Sequence, residues 1–431
     1  MHWQLATLAV ILLGFAAISG RLEGTWITAP MAFTAAGMLV GADALGLVDP
    51  SATGTEVKIL AEATLAVVLF SDASRIDLRA LRGELGIPSR LLGIGLPLTL
   101  LLGFVVAVAV LGDLAWPEAL VLAVILAPTD AALGQAVVTL GRLPVRIRQS
   151  LNLESGLNDG ICVPFFLIAL AVAQAEEGAI GNGQAVRLVL EKIGYGILGG
   201  AIAGALAAAV IAYAGGRRLV AHPWLQVVPL AGAALAFGLA EAIGGSGFIA
   251  AFVGGGLFGA LRGRRGGDIS DLIEQAGALL AALTFVVFGA VLLGPALGDL
   301  TWQVAFYAAL SLTLARMVPV AVSMLGTGAR RPTVAFLGWF GPRGAASIVF
   351  ALLLVEEGGL PNDGLILTTV FVTVGLSVFA HGISAAPLAA RYADWLDAHP
   401  RPGPSPVESG GGAEVRWRLS HVTPAPEEST G

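Results

Sequence analysis

The chain has 431 residues, of which 56% are hydrophobic and 13% charged, with a mean hydropathy of +0.84. Charged residues average about a quarter of a soluble globular chain, so this composition excludes a soluble domain and implies a polytopic membrane protein. A net charge of -6 without a basic cluster gives no nucleic-acid surface, and a single cysteine, Cys162, excludes an intrachain disulfide framework or a Cys-rich metal site.

The five histidines lack metal-ligand spacing, and no phosphate-cradling Gly-rich loop is followed by a Lys. Membrane lipid is therefore an expected partner, whereas a cofactor, a nucleotide, a nucleic acid and an enzymatic reaction are not expected. The expected fold is all-α. Thirteen apolar segments can cross a hydrocarbon core of ~30 Å at about 20 residues each. They cover residues 4–20, 25–46, 57–73, 90–112, 116–140, 150–174, 189–214, 224–243, 246–261, 273–296, 302–325, 332–354 and 364–390. The first ends in small residues, Ala16 to Gly20, but its start lacks the Lys or Arg of a signal peptide, so it is kept as a helix.

Loops after odd-numbered segments carry fifteen arginines: Arg21, Arg75, Arg79, Arg82, Arg90, Arg142, Arg146, Arg148, Arg217, Arg218, Arg262, Arg264, Arg265, Arg330 and Arg331. Loops after even-numbered segments carry three basic residues, Lys58, Arg187 and Lys192, among acidic ones that include Asp49. The positive-inside rule then puts the N-terminus outside and the C-terminus in the cytoplasm. Residues 1–398 are expected to form the membrane domain. Residues 399–431, rich in Pro, Gly, Ser and Glu, are expected to be a disordered cytoplasmic tail, whose Arg416-Trp417-Arg418 could touch the membrane surface.

Charges inside the segments carry the functional signal, because an ionisable group at bilayer depth costs at least about 2.5 to 3.5 kcal/mol. Asp72 ends the third segment, where an interfacial role and a place in the ion path are equally open, and Glu62 lacks an identified partner. In the fifth, Ala127-Pro128-Thr129-Asp130 places a proline mid-membrane, which predicts a broken helix whose freed carbonyls and half-helix end face a cation. Asp130 stands beside that break.

The sixth segment contains Glu154-Ser155-Gly156-Leu157-Asn158-Asp159, in which Glu154/Asn158 and Ser155/Asp159 stack one turn apart. Asp159 reads by default as an ion or proton site. Glu241 lies near the end of its helix, and Gly247 to Gly256 reads as close helix packing. Arg316 needs a carboxylate, for which Glu154 is the leading candidate. The twelfth segment is broken again at Gly341-Pro342-Arg343-Gly344, so two breaks of opposite charge lie on antiparallel segments, as in an inverted repeat. A satisfied histidine is the simpler reading of His381 than a pH sensor.

Thr129-Asp130, the Glu154 to Asp159 stretch, Gly247 to Val253, Arg316 and Gly341 to Ser347 together resemble the monovalent cation:proton antiporter-1 family, the prokaryotic sodium/proton exchangers related to the animal exchangers. The resemblance implies a thirteen-helix, inverted-repeat homodimer in which a core domain with two crossed broken helices moves against a dimerisation domain. It also implies that Asp159 binds Na+ and H+ in turn, that Asp130, Ser155 and the Thr129 carbonyl complete the cation site, and that Asn158 holds the site together. Glu154 with Arg316 would stabilise the core. Ala131 and Pro342 depart from the commoner pattern, in which proline follows Thr-Asp and leucine precedes the Arg-Gly pair.

The leading expectation is a sodium/proton antiporter of the cytoplasmic membrane of a prokaryote, serving pH homeostasis by electroneutral one-for-one exchange. The alternative is sodium-coupled symport of an organic anion, with Arg343 as the anion clamp, and a channel or scaffold stands third.

Overall fold

The computed structural model describes residues 2–22, 25–42, 44–48, 54–75, 86–134, 137, 140–215, 217, 219, 221–262, 269–357, 359–400 and 407–408. Arg79, Arg82, Arg218, Arg264, Arg265, Asp49 and the Arg416 to Arg418 motif lie outside these residues. Among the described residues every regular element is helical. Lipid offers no partner for a backbone N–H or C=O, so a spanning chain satisfies both within helices.

In chain order the helices are α1 (His2–Leu22), α2 (Ala29–Val40), α3 (Gly54–Ser74), α4 (Gly86–Val110), α5 (Trp116–Ile125), α6 (Val145–Glu176) and α7 (Asn182–Val210). There follow α8 (His222–Ala242), α9 (Gly247–Arg262), α10 (Asp271–Gly298), α11 (Trp302–Ser323), α12 (Arg331–Trp339), α13 (Ala345–Glu357) and α14 (Asp363–Ala398). Eight are long and apolar enough to cross a membrane by themselves: α1, α4, α6, α7, α8, α10, α11 and α14. The other helices fall within the remaining expected segments. In the fifth segment α5 stops at Ile125, because Pro128 has no N–H to continue the ladder, turns follow at residues 131–134, and Val137 is again helical.

Helices α2, α3 and α7 to α10 pack together, while α4, α5, α6, α11, α12 and α14 form a second group. The smaller α13 lies between them, against α3 on one side and α5, α6 and α14 on the other. Within the first group α9 runs backbone to backbone with α7 and α3. A Cβ at Gly255 would collide with the Phe70 carbonyl oxygen, so small residues set that separation.

Charged loops segregate to two ends of this bundle. At one end Arg75 pairs with Glu274, Arg90 donates to the Ser323 and Leu325 carbonyls, and Arg142 pairs with Asp394 and Asp397 at 2.8 and 2.7 Å. At the other end Lys58 lies between Glu62 and Glu356, Lys192 pairs with Glu357 at 3.2 Å, and Gln174 donates to the Glu357 carbonyl. The pairing of Lys58 with Glu62 supplies the partner that the sequence left unidentified.

The tail differs from its expected disorder at two residues. Val407 is buried in an apolar cluster with Phe336, Tyr392 and others, and Glu408 accepts from Arg330 N at 3.1 Å and Thr333 Oγ1 at 2.6 Å. A carboxylate there caps the first turn of α12, which supplies the ordering energy that composition alone does not show.

Gly255→Val should lower the thermal midpoint in detergent by several degrees, as overpacking costs typically about 1 to 3 kcal/mol. Gly256→Val, whose new Cβ meets open space, should leave the midpoint nearly unchanged. Equal losses in the two variants would show that α9 is not held by this close approach.

Candidate functional site

Two chain breaks face each other in the centre of the second group. Helix α5 stops at Ile125 and the chain runs extended through Pro128 to Asp130, while α12 stops at Trp339 and resumes as α13 only at Ala345. A helix that stops inside the membrane leaves unpaired carbonyls at one end and unpaired N–H groups at the other. Each break satisfies the other's.

Arg343 Nη1 donates to the Ala127 carbonyl at 2.8 Å and the Pro128 carbonyl at 3.3 Å, and Ser347 Oγ donates to the Ile125 carbonyl at 2.7 Å. In return Asp130 Oδ2 accepts from Ala345 N at 3.0 Å, Asp130 Oδ1 accepts from Ala132 N at 2.8 Å, and Asp130 N donates to the Pro342 carbonyl at 2.8 Å. The cation thus sits at the negative end of α5 and the carboxylate at the positive end of α13, both favoured by the helix dipoles. Gly344 makes the second contact possible, since a Cβ there would collide with the Asp130 carboxylate.

Helix α6 supplies the remaining groups. Asn158 Nδ2 donates to Thr129 Oγ1 at 2.7 Å, Asn158 Oδ1 accepts from Thr129 N at 3.3 Å, and Ser155 Oγ lies 3.0 Å from Thr129 Oγ1. These bonds fix the first break to α6. Asp159, 8% exposed, follows on the same helix.

A cavity of about 160 Å³ opens beside these residues, lined among others by Asp72, Asp130, Asn152, Ser155, Asp159 and Glu274. Of the residues singled out in the sequence, it brings together Asp72, Asp130, Ser155 and Asp159. Thr129 and Asn158 stand behind its wall. Asp72 reaches it where α3 meets α6, because Gly156 leaves room for its side chain.

Glu154 and Arg316 are outside the cavity. Both are 3% exposed at the side chain, and they form a two-pronged pair, Nη1 to Oε1 at 2.5 Å and Nη2 to Oε2 at 2.8 Å. Gly341 lies against Arg316, and a Cβ at that position would collide with its guanidinium. Glu241 accepts from Gly247 N at 2.8 Å, so it caps α9 away from this site.

Three further buried groups, two at the centre and one at the helix starts, had no role legible in the sequence. Ser347 belongs to the Gly341 to Ser347 motif, but its bond to Ile125 is visible only once the breaks cross. Ser377 accepts from Arg343 N at 2.7 Å, and Glu118, 1% exposed, accepts from Ala115 N and from Asn362 N, each at 2.9 Å, joining the starts of α5 and α14. Asn152 could have been found as the residue one turn before Ser155 on the same face of α6.

The family model described as "Sodium/hydrogen exchanger, transmembrane" matches residues 7–391. The chain is 27% identical over 403 residues to a K(+)/H(+) antiporter NhaP2 of a Shewanella species, covering 93% of this chain and 68% of that relative. It is also 26% identical over 375 residues to a Na(+)/H(+) antiporter of Schizosaccharomyces pombe, covering 78% and 76% of the two chains. The sodium proton antiporter MjNhaP1 from Methanocaldococcus jannaschii has the same fold, with a TM-score of 0.73 at 19% identity over 88% of this chain and 98% of that one. Organic-anion symport finds no support in these relationships, nor in the structure. Its anion clamp, Arg343, is 1% exposed and is committed to carbonyl oxygens.

Removing one member of the Glu154–Arg316 pair strands a charge in a dry interior and should cost about 3 to 5 kcal/mol, while removing both should cost less than the sum. Detergent melts of Glu154→Gln, Arg316→Gln and the double variant check this. Strictly additive losses would contradict the pairing.

Proposed function

The chain belongs to the sodium/hydrogen exchanger family and is a multi-pass cation/proton antiporter, and on that premise we propose that it exchanges one Na+ for one H+ through Asp159 by alternating access. The observation that carries this reading is the state of Asp130. Both of its oxygens accept backbone N–H groups, and it caps the positive end of α13. These contacts commit the Asp130 carboxylate to the crossing of the two breaks, and in this reading Asp159 is the group that exchanges.

Asp159 then alternates between one proton and one cation, with the Asp130 carboxylate and Ser155 Oγ on the cavity wall as further oxygen ligands and the Thr129 carbonyl, between them and α5, completing the set. Oxygen donors of this kind suit a hard monovalent cation. The site's charge is the same in both directions of travel, which makes the exchange electroneutral. Asp72, on the wall of the same cavity and on the way to Glu274, belongs to the ion path in this reading. Exchange of K+ is the second reading, favoured by the names of the bacterial relatives.

The segregation of arginines to one end supports a cytoplasmic placement of that end, hence an outside N-terminus and a cytoplasmic C-terminus in the inner membrane. Helix α1 packs only one side, with Leu8, Ile11, Leu12 and Phe15, against the chain and leaves Leu5, Val10 and Leu13 exposed. That open length supports coverage by lipid or by a second copy in a homodimer. Ion pairs from Lys58 and Lys192 tie the first helix group to the end of α13 at the opposite end from Glu274. Such a tie fits one closed side and one accessible side of an alternating-access cycle.

Vesicles containing the purified protein and a pH dye should show proton movement on addition of Na+, and both Asp159→Asn and Asp130→Asn should abolish it while leaving the protein folded. Asparagine at 130 offers one acceptor oxygen where two N–H donors need one each. Full exchange by either variant would remove that residue from the site. Ser155→Ala should weaken the apparent affinity more than the saturated rate.

Apparent Na+ affinity should fall as pH drops, because proton and cation contend for one carboxylate, and an affinity independent of pH would contradict the competition. A membrane potential acts with about 2.3 kcal/mol per charge per 100 mV, so clamping vesicles at different potentials should leave the end point of exchange unmoved. An end point that follows the potential would refute one-for-one exchange.

A further inference from the structure

The second break is held from outside by one stripe of α14. Ser377, His381 and Ser384 lie four and three residues apart, so they share a helix face. His381, 1% exposed, places Nε2 at 3.0 Å from the Trp339 carbonyl, the last residue of α12, and Nδ1 at 3.1 Å from Ser377 Oγ. Ser377 Oγ in turn accepts from Arg343 N at 2.7 Å, and Trp339 Nε1 donates to Ser384 Oγ at 2.9 Å.

Nε2 faces a carbonyl oxygen, so it carries a hydrogen and donates. Nδ1 lies between the Ser377 hydroxyl and the Ser377 carbonyl oxygen, at 3.1 and 3.0 Å, and the hydroxyl oxygen takes the Arg343 N–H. The ring therefore links the chain just before the break to the chain within it. His381 also stacks obliquely on the Trp339 indole, with ring centres 4.9 Å apart.

We propose that Ser377 and His381 are positioning residues for cation exchange: they fix residues 340–344 so that Pro342 and Ala345 hold Asp130 at the cation site. The path is short. Asp130 N donates to the Pro342 carbonyl and Asp130 Oδ2 accepts from Ala345 N, two residues either side of the Arg343–Gly344 segment that Ser377 grips. Loosening that grip displaces a cation ligand without touching it. Neither residue lines the cavity, so neither contacts the ion.

This inference rests on the reading that Asp130 and Asp159 share the transported cation. Its test compares His381→Leu, His381→Gln and Ser377→Ala with the wild-type protein in vesicles, measuring the apparent Na+ KM and the saturated rate per folded transporter. Glutamine keeps an amide N–H at the reach of Nε2, so it should preserve the bond to Trp339 and stay within about twofold of wild type. Leucine at 381 and alanine at 377 should raise KM by about three- to tenfold, the range for losing one buried hydrogen bond, with a smaller change in saturated rate.

A change confined to the melting temperature or the saturated rate, with KM unmoved, would reduce the pair to structural filling and overturn the proposal. So would a glutamine variant as impaired as leucine. If His381→Leu does not yield folded protein, Ser377→Ala decides on the same criterion, since it removes one hydroxyl and no bulk. Wild-type vesicles without any Na+-driven proton movement would instead refute the exchange reading itself, which separates the two failures.

Discussion

Two helices that stop in the middle of a bilayer present the membrane with its least tolerable groups, carbonyls and amides that no solvent can reach. Each such group costs several kcal/mol if unpaired. The chain meets this constraint by setting the breaks against each other, with Arg343 on the carbonyl end of α5 and Asp130 on the amide end of α13. Neither break is stable alone. The crossing therefore behaves as one unit, and its two charges are structural before they are functional.

That arrangement decides the electrostatics of the cavity. The Asp130 carboxylate accepts from Ala345 N at the start of α13 and also lies on the cavity wall. Asn158 and Ser155 bind α6 to Thr129, so Asp159 is registered against the crossing, and the buried Glu154–Arg316 pair ties the same helix to α11.

Much of this was legible in the chain. Pro128 and Pro342 announce breaks because proline removes a ladder donor wherever it stands, and acids or arginines at membrane depth announce function because they are costly there. The unreadable part was which groups meet. Ser347 and Ile125 are 222 residues apart in sequence, and Ser377 lies 34 residues beyond Arg343 in a helix whose apolar pattern gives its hydroxyl no distinction. The seating of Glu408 on α12 likewise depends on tertiary partners rather than local propensity. Local rules see a proline or a polar tail. They do not see the donor waiting across the bundle.

The central claim is that one carboxyl of the site, and only one, loses its proton when the cation binds. Difference infrared spectroscopy of the protein in membranes, recorded at a pH where the site is protonated and then after addition of Na+, counts the carboxylic acid groups that disappear. The account predicts the loss of a single protonated carboxyl band, absent from the start in Asp159→Asn. Two bands lost together, or one that persists in Asp159→Asn, would contradict it.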